Sequence, residues 1–276
     1  MPARHEATIA CPMIDFFRQL LRSTPLARAW RYRRSLQRLS SWAPHDDVMR
    51  SFYAQFVTAG CLCFDVGANM GNRTKIFRRL GARVLAVEPQ ANCLEVLRRA
   101  FTEDPGVTVL AEAAGAAPGT ATLFASDVHT LSSLSKEWIE TVRGSGRFAN
   151  HRWDSRQTVP VTTLDKLIAA HGRPDFIKID VEGFELDVLR GLTQPVRALS
   201  FEFTPEMADV ALDCVDYLDR LGEAEFNYSL GESMTLVNAD WWRSEDIKSR
   251  LKALRSNNDI FGDVYARFAP VPSRCR

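Results

Sequence analysis

The chain has 276 residues, 46% of them hydrophobic, and a formal net charge of +1, which suits one large α/β domain with a full core and an extension. So even a charge balance supplies no global field for nucleic acid, and no nucleic-acid partner is expected. No apolar run is long enough to span a membrane, and Arg18 and Arg22 break up the apolar residues near the N-terminus, so a cytoplasmic protein is expected.

From Phe16 to Pro44 there are seven arginines, at 18, 22, 28, 31, 33, 34 and 38, and no acid. Phe17, Leu20 and Leu21, then Leu26, Ala29 and Trp30, recur at helical spacing on either side of Pro25, which predicts two short basic amphipathic helices. Such a segment suits an anionic membrane surface, an acidic partner or a lid over a cleft; the plainer reading is a helical pair packed by its apolar stripe. Residues 1–57 are therefore expected to form a basic helical N-terminal extension. Within it Asp46 or Asp47 is expected to cap a helix with Val48, Phe52 and Phe56 on one side.

The stretch from Cys61 to Gly71 reads as strand, loop and helix start. Its apolar run ends in Asp65, Gly67 and Gly71 free the backbone for a tight approach to a ligand, and Ile76, Phe77 and Leu80 continue at helical spacing. A dinucleotide fingerprint would place glycine at 67, 69 and 72, but only Gly67 matches, since 69 and 72 are asparagines; this argues against NAD. An acid two residues before the first glycine instead suits the ammonium and sugar hydroxyls of S-adenosylmethionine. Asp65, Gly67, Asn69 and Gly71 are the expected cofactor loop.

A second strand, Arg83 to Val87, closes on Glu88 and Pro89, the position that faces the ribose of a bound nucleoside in a doubly wound sheet. Val107 to Leu110 reads as a third strand ending near Ala113 and Ala114, and Ala121 to Ala125 as a short one. Residues 126–158 form the least regular stretch. It holds His129, Trp138, Arg147, Arg152 and Arg156, and is assigned to acceptor binding, the arginines as contacts to an anionic or sugar-like acceptor. A fourth strand, Asp175 to Asp180, sends Lys178 and Asp180 to one side and ends among Asp180, Glu182 and Glu185. Glu185 is most simply a first-turn helix acid. A fifth strand, Ala198 to Phe203, brings Glu202 beside that end; a helix from Pro205 to Leu221, a strand at 226–230, a helix at 241–254 and a strand at 260–268 follow. The six cysteines, at 11, 61, 63, 93, 214 and 275, show no metal-type pairing and read as buried free thiols.

Several separated segments together resemble the FkbM-type methyltransferases, a family of class I S-adenosylmethionine-dependent enzymes. They are Asp65-Val66-Gly67-Ala68-Asn69-Met70-Gly71, Val87-Glu88-Pro89, Leu131-Ser132-Ser133-Leu134, Val161-Thr162-Thr163-Leu164-Asp165, and Lys178-Ile179-Asp180-Val181-Glu182-Gly183-Phe184-Glu185. The resemblance implies an α/β, Rossmann-like fold over residues 58–270: a seven-stranded, mostly parallel sheet with helices on both faces and a C-terminal antiparallel hairpin. It also implies adenine beside Ala113 and Ala114, and O-methylation of a hydroxyl on a sugar or polyketide-type small molecule. Asp180, with Glu182 and His129 as further candidates, is expected to act as the base. Asp180 and Glu202 could instead share a divalent metal such as magnesium. The competing reading from another class is a methyltransferase-like module that binds without catalysis and docks through its basic N-terminus, at the periphery of a membrane or on a partner.

Overall fold

The computed structural model describes residues 25–146, 148, 150–255 and 260–269. The chain divides into two units, one up to Trp42 and one from Ala43 onward. In the first, helix α1 (Pro25–Ser40) holds the expected Leu26, Ala29 and Trp30 and runs on to Ser40, because Arg31 to Leu39 contain no breaker and several strong helix formers. Leu26 and Trp30 are 83% and 60% exposed. The other expected helix, about Phe17 to Leu21, lies outside the described residues.

The second unit starts earlier than the expected boundary at 57/58, since helix α2 (Pro44–Tyr53) belongs to it. Neither Asp46 nor Asp47 is the N-cap. Asp46 sits in the first turn and accepts the Ala43 amide at 2.7 Å, with Lys75 Nζ at 2.8 Å on the same oxygen. The buried face of α2 is Met49, Phe52 and Tyr53, continued by Phe56, and Val48 points outward.

The main sheet has seven strands in the order β3-β2-β1-β7-β8-β10-β9. They are β1 (Leu62–Val66), β2 (Arg83–Val87), β3 (Val107–Leu110), β7 (Phe176–Ile179), β8 (Ala198–Phe203), β9 (Ala224–Leu230) and β10 (Gly262–Phe268). The strands from β3 to β8 pair in parallel, and β10 runs antiparallel to both β8 and β9, which is the expected sheet. The central strands are nearly continuous apolar runs because both faces are covered. On one side Ile177, Ile179, Leu199 and Phe201 pack with Val188, Leu189, Leu212 and Val215, carried by helices α7 (Glu185–Arg190) and α8 (Ala208–Leu221). On the other, Cys63, Phe176 and Tyr265 pack with α2 and with Ile76 and Phe77 of helix α3 (Asn72–Arg79). Phe56 stacks on both Phe176 and Tyr265, with ring centroids 5.1 and 5.3 Å away. Helix α4 (Ala91–Ala100) follows β2, and helix α9 (Ser244–Leu254) joins β9 to β10. Cys61, Cys63, Cys93 and Cys214 are free and buried as expected; the other two cysteines lie outside the described residues.

A smaller sheet departs from expectation. Ala113–Ala114 is not the end of β3 but a separate strand, β4, and it pairs in parallel with β6 (Ser155–Thr162), which also pairs antiparallel with β5 (Gly119–Ala125). The stretch 126–158, expected to be irregular, also contains helix α5 (Lys136–Gly144), whose Trp138 is 1% exposed and anchors a local cluster with Leu131, Ile139 and Val142. Helix α6 (Leu164–His171) is opened by Thr163, whose side chain accepts the Lys166 amide.

Candidate active site

Parallel strands β1, β2, β7 and β8 end on the same edge of the sheet, and the loops that leave them enclose a cavity of about 260 Å3. At the end of β1, Gly67 has φ +79°, and a Cβ there would stand 1.9 Å from the carbonyl oxygen of Asp180. Only glycine lets the two strand ends come this close. Asn69 follows in the left-handed region, at φ 52°, where asparagine is among the few tolerated side chains. Gly71, at φ +94°, is the N-cap of α3, and a Cβ on it would meet Leu97 and Phe101 of the neighbouring helix. Among the expected cofactor positions it alone is absent from the lining, so its part is to seat the helix.

Asp65, Gly67, Asn69, Glu88, Pro89, Ala113, Ala114, His129, Asp180, Glu182 and Glu202 all line the cavity. Asp65 is buried and accepts the Thr74 hydroxyl at 2.6 Å; burial raises its pKa against the lowering by that bond. Glu88 accepts the Asn69 amide at 2.7 Å on one oxygen and the Gln90 amide at 2.7 Å on the other. Burial nonetheless pushes its pKa up to about 7, because two amide bonds do not replace full hydration. His129 sits in a short 3-10 turn, its carbonyl accepting the Gln90 side-chain amide at 2.9 Å.

At the end of β7 the chain turns through two left-handed residues, Glu182 at φ 54° and Gly183 at φ 85°. A Cβ on Gly183 would lie 2.4 Å from the Trp138 ring, so α5 closes down on this turn. Ser133 ties the same turn from the other direction, its hydroxyl donating to the Glu182 carbonyl at 2.6 Å. The Leu131–Leu134 motif thus serves to fasten one wall of the cavity to the other. Glu185 accepts the amides of Val181 and Gly183, each at 3.2 Å, which fits the first-turn role expected of it; burial pushes its pKa up to about 7.

One carboxylate oxygen each from Asp180, Glu182 and Glu202 lies within 4.8 Å of the others. Burial, then the charges of Glu182, Asp180 and Glu185, drive the Glu202 pKa well above the usual carboxylate range. Behind this group lies a residue whose role was not foreseen. Lys178, 1% exposed, donates to Asp180 Oδ2 at 3.1 Å and to Asp263 Oδ1 at 2.9 Å. Burial opposes its charge, but the two carboxylates outweigh it and raise its pKa. The sequence carried a signal for it, a lysine two positions before a strand-end acid and therefore on the same face. Arg73, Gln90 and Glu232 also line the cavity unforeseen. Two of the arginines expected to hold an acceptor, Arg152 and Arg156, do not line it. Arg152 and Arg156 lie elsewhere, Arg156 over the Phe124 ring at 5.7 Å, and Arg147 is outside the described residues.

The methyltransferase FkbM domain family matches residues 65–230, which runs from the first acid of the loop to the end of β9. The hexuronic acid methyltransferase AglP of Haloferax volcanii is 26% identical over 185 residues, covering 64% of this chain and 66% of that protein; the match thus spans just under two thirds of the relative's length. Among solved structures, a precorrin-6y C5,15-methyltransferase from Geobacter metallireducens has a TM-score of 0.41 at 12% identity, covering 80% of this chain and 87% of that one. An rRNA methylase from Streptococcus thermophilus has a TM-score of 0.40 at 12% identity, covering 80% and 94%. With the family matched over more than half of its length and the sheet to go with it, the chain belongs to the FkbM family of class I, Rossmann-like methyltransferases.

Proposed function

We propose that the chain transfers the methyl group of S-adenosylmethionine to a hydroxyl oxygen of a sugar-type small molecule. The observation that carries this is the meeting of Asp65 and Gly67, Glu88, and Asp180, from three separate family motifs, around one cavity at the carboxyl ends of parallel strands. In this reading Asp65 faces the ammonium of the cofactor, Glu88 takes the ribose hydroxyls, and the small Ala113 and Ala114 leave room for adenine. S-adenosylmethionine, when bound, supplies a methyl group on a positively charged sulfur, open to attack in line by an oxygen.

Asp180 then takes the proton of the acceptor hydroxyl, with Lys178 holding it in position from behind. Alignment of oxygen and methyl is worth roughly 7–11 kcal/mol and a positioned base about 10²–10⁴-fold. A sugar-type acceptor is favoured by the relative that acts on a hexuronic acid. The all-oxygen donor set of Asp180, Glu182 and Glu202 fits a hard divalent cation such as magnesium, which would lower the pKa of a bound hydroxyl.

Thermal unfolding in the presence of S-adenosylmethionine, and separately of NAD, tests the reading. At 100 times its dissociation constant a ligand adds about 2.7 kcal/mol of stability. A rise with S-adenosylmethionine alone is expected; a rise with NAD alone would overturn the proposal. Methyl transfer into extract fractions then separates an enzyme from a module that only binds.

A further inference from the structure

The cavity wall is acidic, with Asp65, Glu88, Asp180, Glu182 and Glu202 all facing it, and among the described residues that line it Arg73 is the single lysine or arginine. Arg73 is the second residue of α3, just past the glycine loop, and its side chain is 16% exposed. A guanidinium carries five N–H donors in a fixed fork, and its favoured partner is a carboxylate held by two parallel bonds. Here the fork is poorly served. Nη2 donates to Glu232 Oε2 at 2.7 Å, Nη1 is spent on the thioether of Met49 at 2.7 Å, and buried Nε has no partner among the described residues. The Tyr53 ring, 5.9 Å away, adds a face but no acceptor.

The one carboxylate in place is loosely held. Glu232 is 56% exposed, on the loop after β9, and the His45 ring nitrogen stands 4.0 Å from the same oxygen. A half-solvated, single-bond ion pair contributes little, so exchanging Glu232 for a ligand carboxylate costs little and lets the buried donors be met.

We propose that Arg73 binds a carboxylate of a ligand in this cavity and that Glu232 is the resident group this carboxylate displaces. The proposal rests on the methyltransferase reading. Two sources share the chemistry, the amino-acid end of S-adenosylmethionine and a uronate-type acceptor. Among the described lining residues only Arg73 offers either carboxylate a cationic side chain.

The test is calorimetry on the full chain with four probes: S-adenosylmethionine, 5′-methylthioadenosine, which lacks the amino-acid end, and, in the presence of S-adenosylhomocysteine, glucuronate and glucose. If the cofactor supplies the carboxylate, Arg73→Gln loses at least tenfold affinity for S-adenosylmethionine and none for methylthioadenosine. If the acceptor supplies it, Arg73→Gln binds cofactor like the parent but loses the parent's preference for glucuronate over glucose. Either result supports the proposal. Glu232→Gln, at an exposed site where folding is not at stake, is expected to raise affinity for the same carboxylate about threefold or more. Equal losses with and without the carboxylate, no difference at all, or a Glu232→Gln variant with unchanged affinities would overturn it. Failure of the parent to bind S-adenosylmethionine at all would instead count against the methyltransferase reading.

Discussion

Glu88 is fixed by two backbone amides at 2.7 Å yet has its pKa pushed up to about 7 by burial, and this combination makes cofactor binding depend on pH. Ribose hydroxyls donate best to the ionised carboxylate, so affinity for S-adenosylmethionine is expected to rise as pH passes through about 7. Stability moves the other way. Between the unfolded value of 4.5 and the folded value of about 7 the native state holds a proton that the unfolded state has lost, so the free protein loses stability as pH climbs through that window. Calorimetry across that range checks the first statement, and Glu88→Gln should flatten the curve. Asp180→Asn keeps the shape of the base but not its function, and turnover should fall about a hundredfold or more with cofactor affinity unchanged, as single-turnover kinetics would show. Lys178 is the other residue on which much hangs. Lys178→Met leaves Asp263 in the core without its cation and should cost roughly 3–5 kcal/mol in urea unfolding, while adding Asp263→Leu should restore part of the loss.

Elements differ in how plainly their residues announce them. β1, β2, β7 and β8 were legible because strands covered on both faces are short apolar runs that stop at an acid or a turn. β6 was not, since Ser155-Arg156-Gln157-Thr158-Val159-Pro160 is polar, contains a proline and buries only Val159 deeply. Pairing with β5 on one side and β4 on the other makes it a strand, and that is tertiary information. α5 is hard to read from its residues for a similar reason, as its apolar residues are few and its stability comes from burying Trp138 against the Glu182–Gly183 turn. Between β1 and β7 the contact is closer than between any ordinary side chains. Gly67→Ala introduces a Cβ that would lie 1.9 Å from the Asp180 carbonyl, so the end of β7 must shift. The expected result is a loss of about 2 kcal/mol or more in denaturant unfolding together with weaker cofactor binding.

Across the whole molecule, every residue lining the cavity lies beyond Ala43. The family motifs made the cofactor end of the site readable, because loop, ribose acid and base each sit at the end of a recognisable strand. Arg73 and Glu232, 159 positions apart in the chain, have no local pattern to join them. The N-terminal unit is a different matter. Its α1 helix carries Arg31, Arg33, Arg34 and Arg38 and no acid, with Leu26 and Trp30 exposed. Deleting residues 1–42 is expected to leave cofactor affinity intact and to abolish any salt-sensitive sedimentation with anionic vesicles. In the proposed function the cavity at the strand ends holds S-adenosylmethionine through Glu88, and titration of the cofactor into the parent and into Glu88→Ala is the decisive measurement. Loss of charge-assisted bonds of about 1.5–3 kcal/mol predicts saturable binding by the parent and at least tenfold weaker binding by the variant, whereas equal affinities, or no binding by the parent, would contradict it.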